Sequence, residues 1–490
     1  MKQFSRALVW LTASEIIFNI AGYVIHASVG RILGPADYGR FSLIVTLTTM
    51  IIILIGNGIP TAMSKYLSEI FESTPEKILA IKHKSIQLQA ILMLGVTAVF
   101  FFASPLLAWA LNDESLTPLF QLSSLIIPAF AAASFYFYYY TGLHFFRLQA
   151  ILKTARALGR IVFIISFAYF FGVKGAISGY IAAPLFVFAI AWIADIFITH
   201  RYFPATKQVA AVPLSFSGKT ILEYAWPLTL FLLFYELILT LDLYFVKSLL
   251  QSDYLTGVYS AAITVGRIPY YLFYALTIIL LPAISKTTAE RDTAETTALV
   301  NKSLRLMTLL LFPMVTLLIA YAPEVLHLFY GAQYADAAAP MSVFALGVGC
   351  LTVFYVLSFA LNGAGFVRIP MKLALFGFLM MIALNFLLIP PFQLVGAALS
   401  TTIVSFVLMI SILVYTETHF DVRLRLKTVI LSLASALLVA SVATMLPHGT
   451  YSFIISGTIL FFLYFGLLRI FGEFTAADMA PLRKLFVKQS

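Results

Sequence analysis

Apolar runs of about twenty residues follow one another along almost the whole chain, separated by short stretches of Gly, Pro, Asn, Asp and basic residues. At 1.5 Å of rise per residue, about twenty helical residues cross roughly 30 Å of hydrocarbon. Fourteen such runs can be traced: 7–30, 39–59, 85–108, 117–142, 156–172, 176–199, 219–245, 256–283, 299–322, 340–362, 370–390, 393–416, 427–446 and 451–470. The pattern predicts an all-α polytopic membrane protein with about 14 transmembrane helices. The first break, VGRILGPADYGR at 29–40, is a turn by ordinary chemistry. Gly34 accepts the left-handed conformation at a helix end and Pro35 cannot continue the ladder, so the first two runs should form a hairpin.

The runs repeat. Thr141-Gly142 and Arg147 return as Asn362-Gly363 and Arg368, and Phe171-Gly-Val-Lys-Gly175-Ala176 returns as Phe392-Gln-Leu-Val-Gly396-Ala397, both at an offset of 221. Pro60 to Lys65 corresponds to Pro282 to Lys286, and VGRILGPADYGRFS lines up with VKSLLQSDYLTGVYS at an offset of about 218. A repeat unit of six spans is even, so both copies enter the membrane in the same direction. This predicts two parallel pseudo-symmetric six-helix bundles at 1–200 and 219–420, a cytoplasmic linker at 201–218, and two extra helices with a basic tail at 421–490. Such a pair of bundles is the geometry of an alternating-access carrier, with its substrate in the cleft between halves. The stretches Lys65–Lys84 and Ser285–Arg305 read equally as amphipathic surface helices or solvated connectors.

Composition agrees with a bilayer: 61% of residues are apolar and 11% charged. The net charge of +10 is an orientation signal. With the N-terminus in the cytoplasm, 26 of the 31 Lys and Arg fall in cytoplasmic segments, Arg31, Arg40, Lys174 and Lys247 fall outside, and Arg267 lies within a span. The expectation is a multi-pass protein of the cytoplasmic (inner) membrane with both termini inside, and no nucleic-acid partner. Met1 to Arg6 is a short basic leader without a small-residue cleavage site. The single Cys350 excludes an internal disulfide, and the seven His residues are not spaced for zinc.

Ionisable groups at membrane depth cost roughly 2.5–3.5 kcal/mol each on insertion scales, so they call for an explanation. Glu15, Asn19, Gly22 and His26 share one face of the first span, facing either a polar cleft or an internal network. Arg267 stands inside the eighth span just before Ile268-Pro269, with Ser260, Thr264, Tyr271 and Tyr274 on the same broad face. Arg presents a fork suited to phosphate oxygens, so Arg267 is read as the anion site, against a structural pair with Glu236 or Asp242. Asp242 is expected near the interface. Arg31 is an outer contact for the same anion or a partner of Asp37. Glu15, His26 and Glu236 are the groups for coupling to Na⁺ or H⁺, and no other cofactor or metal is implied. The run Phe135 to Tyr140 reads as an interfacial aromatic belt. No nucleophile elbow, phosphate-cradling glycine loop, His-Glu-x-x-His site or hydrolase carboxylate pair is present, so a transporter is expected rather than an enzyme.

RILGPADYGRFSL and GNGIPTAMSKYLSE resemble the N-terminal signature of polysaccharide-biosynthesis membrane proteins, the O-antigen-type flippases. These share a superfamily with multidrug and toxin extruders and lipid II flippases. GRIPYYLFYALTIILLPAIS is similar to the lipid II flippase pattern of an Arg, a Pro shortly after and a Leu-Pro-x-x-Ser ending. Lipid II flippases also carry several arginines in the first span, where this chain has Arg31 near one end. The resemblance implies translocation of an undecaprenyl-diphosphate-linked oligosaccharide, with Arg267 in a substrate-binding position and polysaccharide polymerases or glycosyltransferases as candidate partners. A cation-coupled small-molecule exporter, a lipid II flippase and a scaffold for polysaccharide synthases stand beside it as alternatives.

Overall fold

The computed structural model describes residues 2–55, 58–70, 77–202, 218–420, 422, 425–449 and 451–474. Among them the chain is helical throughout, with no strand. The helices are α1 (Lys2–Ile55), α2 (Gly58–Ile70), α3 (Ile78–Ala110), α4 (Thr117–Ser124), α5 (Ile126–Gly142), α6 (Phe146–Tyr202), α7 (Gly218–Leu250) and α8 (Asp253–Gly266). They continue as α9 (Ile268–Ala289), α10 (Thr293–Ala320), α11 (Ala322–Tyr330), α12 (Ala338–Gly363), α13 (Arg368–Phe420), α14 (Leu426–Ala443) and α15 (Ser452–Ile470). The linker expected at 201–218 and the basic tail lie almost wholly outside the described residues.

Three of these helices are hairpins. In a straight helix His26 and Tyr38 would stand about 18 Å apart, yet His26 Nδ1 and the Tyr38 hydroxyl are 3.0 Å apart. The chain therefore folds back at Gly34, whose φ of 75° suits glycine. In the same way α6 reverses at Gly172, bringing Arg160 Nη2 to 3.1 Å from the Tyr180 hydroxyl. Helix α13 reverses at Gln393, where Thr401 Oγ1 meets Met381 Sδ at 4.0 Å. Among the described residues ten helical segments are long and apolar enough to cross a membrane. Three of them are hairpins with two arms each, and the α8–α9 pair adds a crossing, giving about fourteen.

The repeat is visible in the backbone. Gly172 (φ 61°, ψ −142°) and Gln393 (φ 50°, ψ −127°) turn the chain almost identically, 221 residues apart. Just beyond each corner the two arms cross closely. A Cβ on Gly175 would stand 1.9 Å from the Phe167 carbonyl oxygen, and one on Gly396 would stand 2.0 Å from that of Leu388. Both pairs keep the same offset.

The chain forms two compact units, Met1–Gly218 with Leu250–Ser260, and Lys219–Leu249 with Ala261–Ser490. In the first, α5 packs against α2 and α6, and α1 against α6. Its core holds the tyrosine run, which is not an interfacial belt: Tyr139 and Tyr140 are fully buried. They surround a buried ion pair of Lys82 with Asp195, with Lys82 Nζ 4.9 Å from the Tyr139 ring centre, and Tyr140 donates to the Ala191 carbonyl at 2.7 Å. Hydroxyl-bearing rings suit this place because they cover the pair while remaining polar at the tip.

In the second unit α12 packs against α9 and α13, the counterpart of α5 on α2 and α6. Helices α14 and α15 pair and cover α10 through Leu309, Tyr321, Val439 and Tyr464. The stretch Ser285–Arg305 is neither a surface helix nor a loose connector. Helix α9 continues to Ala289, and after a short turn the Asp292 carboxylate caps α10 by accepting from Glu295 N at 2.8 Å. Similarly, Lys65 lies in α2 while Lys82 and Lys84 lie in α3.

Candidate functional site

In the second unit the interest centres on Arg267, at the break between α8 and α9. Pro269 occupies the second position of α9 and has no N–H to donate back to Val265, so the ladder is interrupted where the arginine sits. Arg267 Nη2 donates to the Leu239 carbonyl on α7. The Leu243 amide, one helical turn beyond that carbonyl, also donates to the Asp242 carboxylate at 2.9 Å. Arg267 Nε is buried and has no hydrogen-bond partner among the described residues. Tyr271 and Tyr274, the predicted companions on the next turns, are 40% and 41% exposed, leaving ring surface open. Behind them lies an aromatic stack that the sequence pattern did not single out. Tyr355 stands 4.5 Å from Tyr235, 5.2 Å from Tyr270 and 6.3 Å from Tyr274 between ring centres.

The first unit carries a second cationic site, and sequence reasoning missed it. Lys153, Arg156 and Arg160 were expected in or beside a cytoplasmic loop, with the fifth span starting at 156. Helix α6 begins at Phe146 instead, so Arg156 stands about 15 Å along its first arm. The three cations occur at i, i+3 and i+7 and share one helix face. All three surround the Phe18 ring, at 5.8, 4.9 and 4.8 Å from its centre. Arg156 is buried, also faces Phe130 and Phe137 at 4.7 and 4.9 Å, and leaves Nε and Nη1 without hydrogen-bond partners among the described residues. Cation–π contacts are worth about 0.5–2 kcal/mol each, so they offset the burial of a charge only in part.

The remaining predicted residues are dispersed. Glu15 forms an ion pair with Lys153, so it neutralises one cation of this face. His26 is tied to the Tyr38 hydroxyl across the first hairpin. Asn19 is half-buried on the same arm, and Arg31 is exposed near the Gly34 corner. Glu236 is half-buried on α7, one turn before Leu239, and both it and Asp242 interact electrostatically with Arg267. Asp242, expected toward the outer interface, is fully buried among the helices and accepts from Thr401 Oγ1 at 2.8 Å. Lys247 is buried as well. Ser260 belongs to the first unit, hydrogen-bonded to Ser42. There Arg40 Nε lies 2.9 Å from Asp253 Oδ2, and a Cβ on Gly257 would stand 1.7 Å from the Pro35 carbonyl oxygen. Among the described residues no group of three His, Cys, Asp or Glu side chains is arranged to hold a metal ion.

The sequence model of polysaccharide biosynthesis proteins matches residues 5–288, more than half of the chain. The chain belongs to the polysaccharide biosynthesis protein family. Its relatives include the succinoglycan biosynthesis transport protein ExoT of Rhizobium meliloti, 23% identical over 353 residues, covering 72% of this chain and 67% of that protein. Among solved structures, the lipid II flippase MurJ in an inward closed conformation superposes with a TM-score of 0.75 at 16% identity, covering 95% of this chain and 98% of MurJ. An inward-facing multidrug resistance MATE transporter gives 0.66 at 15% identity, covering 85% and 98%. At these identities the likeness is one of fold: this family member is a multi-pass membrane protein that shares its fold with those two proteins.

Proposed function

We propose that the protein carries an undecaprenyl-diphosphate-linked oligosaccharide from the cytoplasmic to the outer leaflet of the cytoplasmic membrane by alternating access. The observation that supports this reading most is the sign of the charge on the two polar faces. They hold Lys153, Arg156, Arg160 and Arg267 against Glu15, Glu236 and Asp242, and Glu15 is already paired with Lys153, so the cationic excess lies on the face of the first unit. A diphosphate needs cations with free donors, and arginine meets phosphate oxygens in a fork. The exposed rings of Tyr271 and Tyr274 suit the apolar faces of sugars. A cation-coupled exporter of cationic drugs would need the opposite balance. The family match and the succinoglycan transport relative favour a polysaccharide precursor as cargo. The distribution of Lys and Arg supports both termini in the cytoplasm.

The test uses the purified protein in liposomes with a fluorescent undecaprenyl-diphosphate oligosaccharide and an external quencher. Wild type should move the lipid faster than empty vesicles. Arg267→Ala should slow it roughly tenfold to a hundredfold, since a hydrogen bond to a charged group is worth about 1.5–3 kcal/mol, and should melt as the wild type does. Wild-type rates in Arg267→Ala would remove the role of that residue. No movement above empty vesicles would remove the substrate.

A further inference from the structure

The second unit contains a cavity of about 830 Å³ where α10 and α14 begin, built from helices other than those around Arg267. Its walls include Asn301, Lys302 and Arg305 on one side and Arg425 and Thr428 on the other, and no carboxylate is among the described lining residues. The adjacent acid is Glu473, just past α15. Thr428 Oγ1 donates to its Oε2 at 2.7 Å, Lys427 Nζ lies 3.5 Å from Oε1, and Arg305 Nη2 donates to its backbone carbonyl at 2.5 Å. The Thr428 hydrogen bond, with Lys427 and Arg305, holds the Glu473 carboxyl below the usual carboxylate range. Glu473 therefore meets Arg305 and Lys427, and among the described lining residues Lys302 and Arg425 add two further cations.

Beside this cavity α14 presents an apolar track: Leu426 is 70% exposed, and Ile430 and Leu437 follow on the same side. A ligand seated here meets cations at one end and a hydrocarbon-facing helix along its length. We propose that the cavity binds the phosphate of an anionic phospholipid, with the acyl chains lying along α14. The volume is within the range of small-molecule sites, and basic pockets between transmembrane helices are suited to lipid phosphates. The site stands independently of the cargo proposed above.

The experiment titrates the full-length protein in detergent with dihexanoylphosphatidylglycerol, dihexanoylphosphatidylcholine or sodium phosphate, read by native mass spectrometry and by melting temperature. Phosphatidylglycerol should bind and raise the melting temperature, while the zwitterionic lipid and free phosphate should not. The double variant Lys302→Gln/Arg425→Gln should weaken phosphatidylglycerol binding about thirtyfold, at about 1 kcal/mol for each of the two basic residues near a membrane surface. Lys286→Gln, an exposed lysine 3.8 Å from Glu290, should leave it unchanged. Wild-type affinity in the double variant, or an equal loss in Lys286→Gln, would overturn the site. Stabilisation by sodium phosphate that depends on Lys302 and Arg425 would overturn the lipid as its ligand.

Discussion

The corners at Gly172 and Gln393 share their backbone geometry, but the arms that enter them differ in chemistry. The arm before Gly172 carries Lys153, Arg156 and Arg160. At the same offset of 221, the arm before Gln393 has Ala374, Gly377 and Met381, all buried. A Cβ at Gly377 would already stand 2.7 Å from Leu408 Cδ1, so the second arm is packed too tightly for an arginine. A hairpin of this shape therefore forms without cations at these three positions. The charges of the first arm are not needed for the fold, and their desolvation is tolerated for another reason. What the repeat keeps is the crossing of the arms; what it lets diverge is the face that meets a ligand.

The strongest way to break this comparison is at the crossings themselves. Gly175→Val and Gly396→Val each push a branched side chain into a carbonyl less than 2.5 Å away, with backbone on both sides of the clash. Each should cost more than about 4 kcal/mol, seen as loss of protein from the membrane fraction or a collapsed melting transition in detergent. Gly22→Val, at a glycine with nothing within 4 Å of a new Cβ, should be accepted. If one corner tolerates valine and the other does not, the two arms do not cross in the same way.

The same contrast shows what could be read from the chain alone. Fourteen runs and their repeat were legible because apolar length is a local property, and Gly34-Pro35 announces its corner. Gln393 has no such signal, following Pro390-Pro391 without a glycine, and only its alignment with Gly172 reveals the turn. Arg267 stood out as a lone charge in an apolar run. Arg156 did not, because Arg147, Lys153 and Arg160 made the whole stretch look like a basic loop. The i, i+3, i+7 spacing of Lys153, Arg156 and Arg160 was the available clue. The pairing of Lys82 with Asp195 joins residues 113 apart, beyond any local pattern, and without it the tyrosine run reads as a surface belt.

Arg156→Met separates folding from transport on the first arm. Methionine keeps most of the side-chain volume and removes a buried charge that has unpartnered nitrogen atoms. Replacing a buried ion with an apolar side chain of similar size is often neutral or stabilising by about 1–4 kcal/mol. The melting temperature should hold or rise, while translocation of the lipid-linked oligosaccharide falls roughly tenfold or more, by the same phosphate-contact estimate used for Arg267. A variant that melts lower and transports normally would make Arg156 a packing element, and the divergence of the two arms would then carry no functional meaning.

The smallest effect belongs to the corner residue. Gln393 holds a φ of 50° and a ψ of −127°, where a side chain crowds the backbone, while Gly172 adopts nearly the same angles with none. Gln393→Gly removes that strain, worth on the order of 1–3 kcal/mol for a residue held in a sparsely populated region. It also frees the unfolded chain, which gives back up to about 1 kcal/mol. The net should be a gain of about 1 kcal/mol, read as a modest rise in melting temperature with translocation unchanged. The reverse substitution, Gly172→Gln, should lower it by a similar amount, because the first corner has no strain to relieve. Opposite signs at equivalent positions are what a shared backbone with unequal residues requires, and equal signs would mean that the arms, not the corners, set the turn.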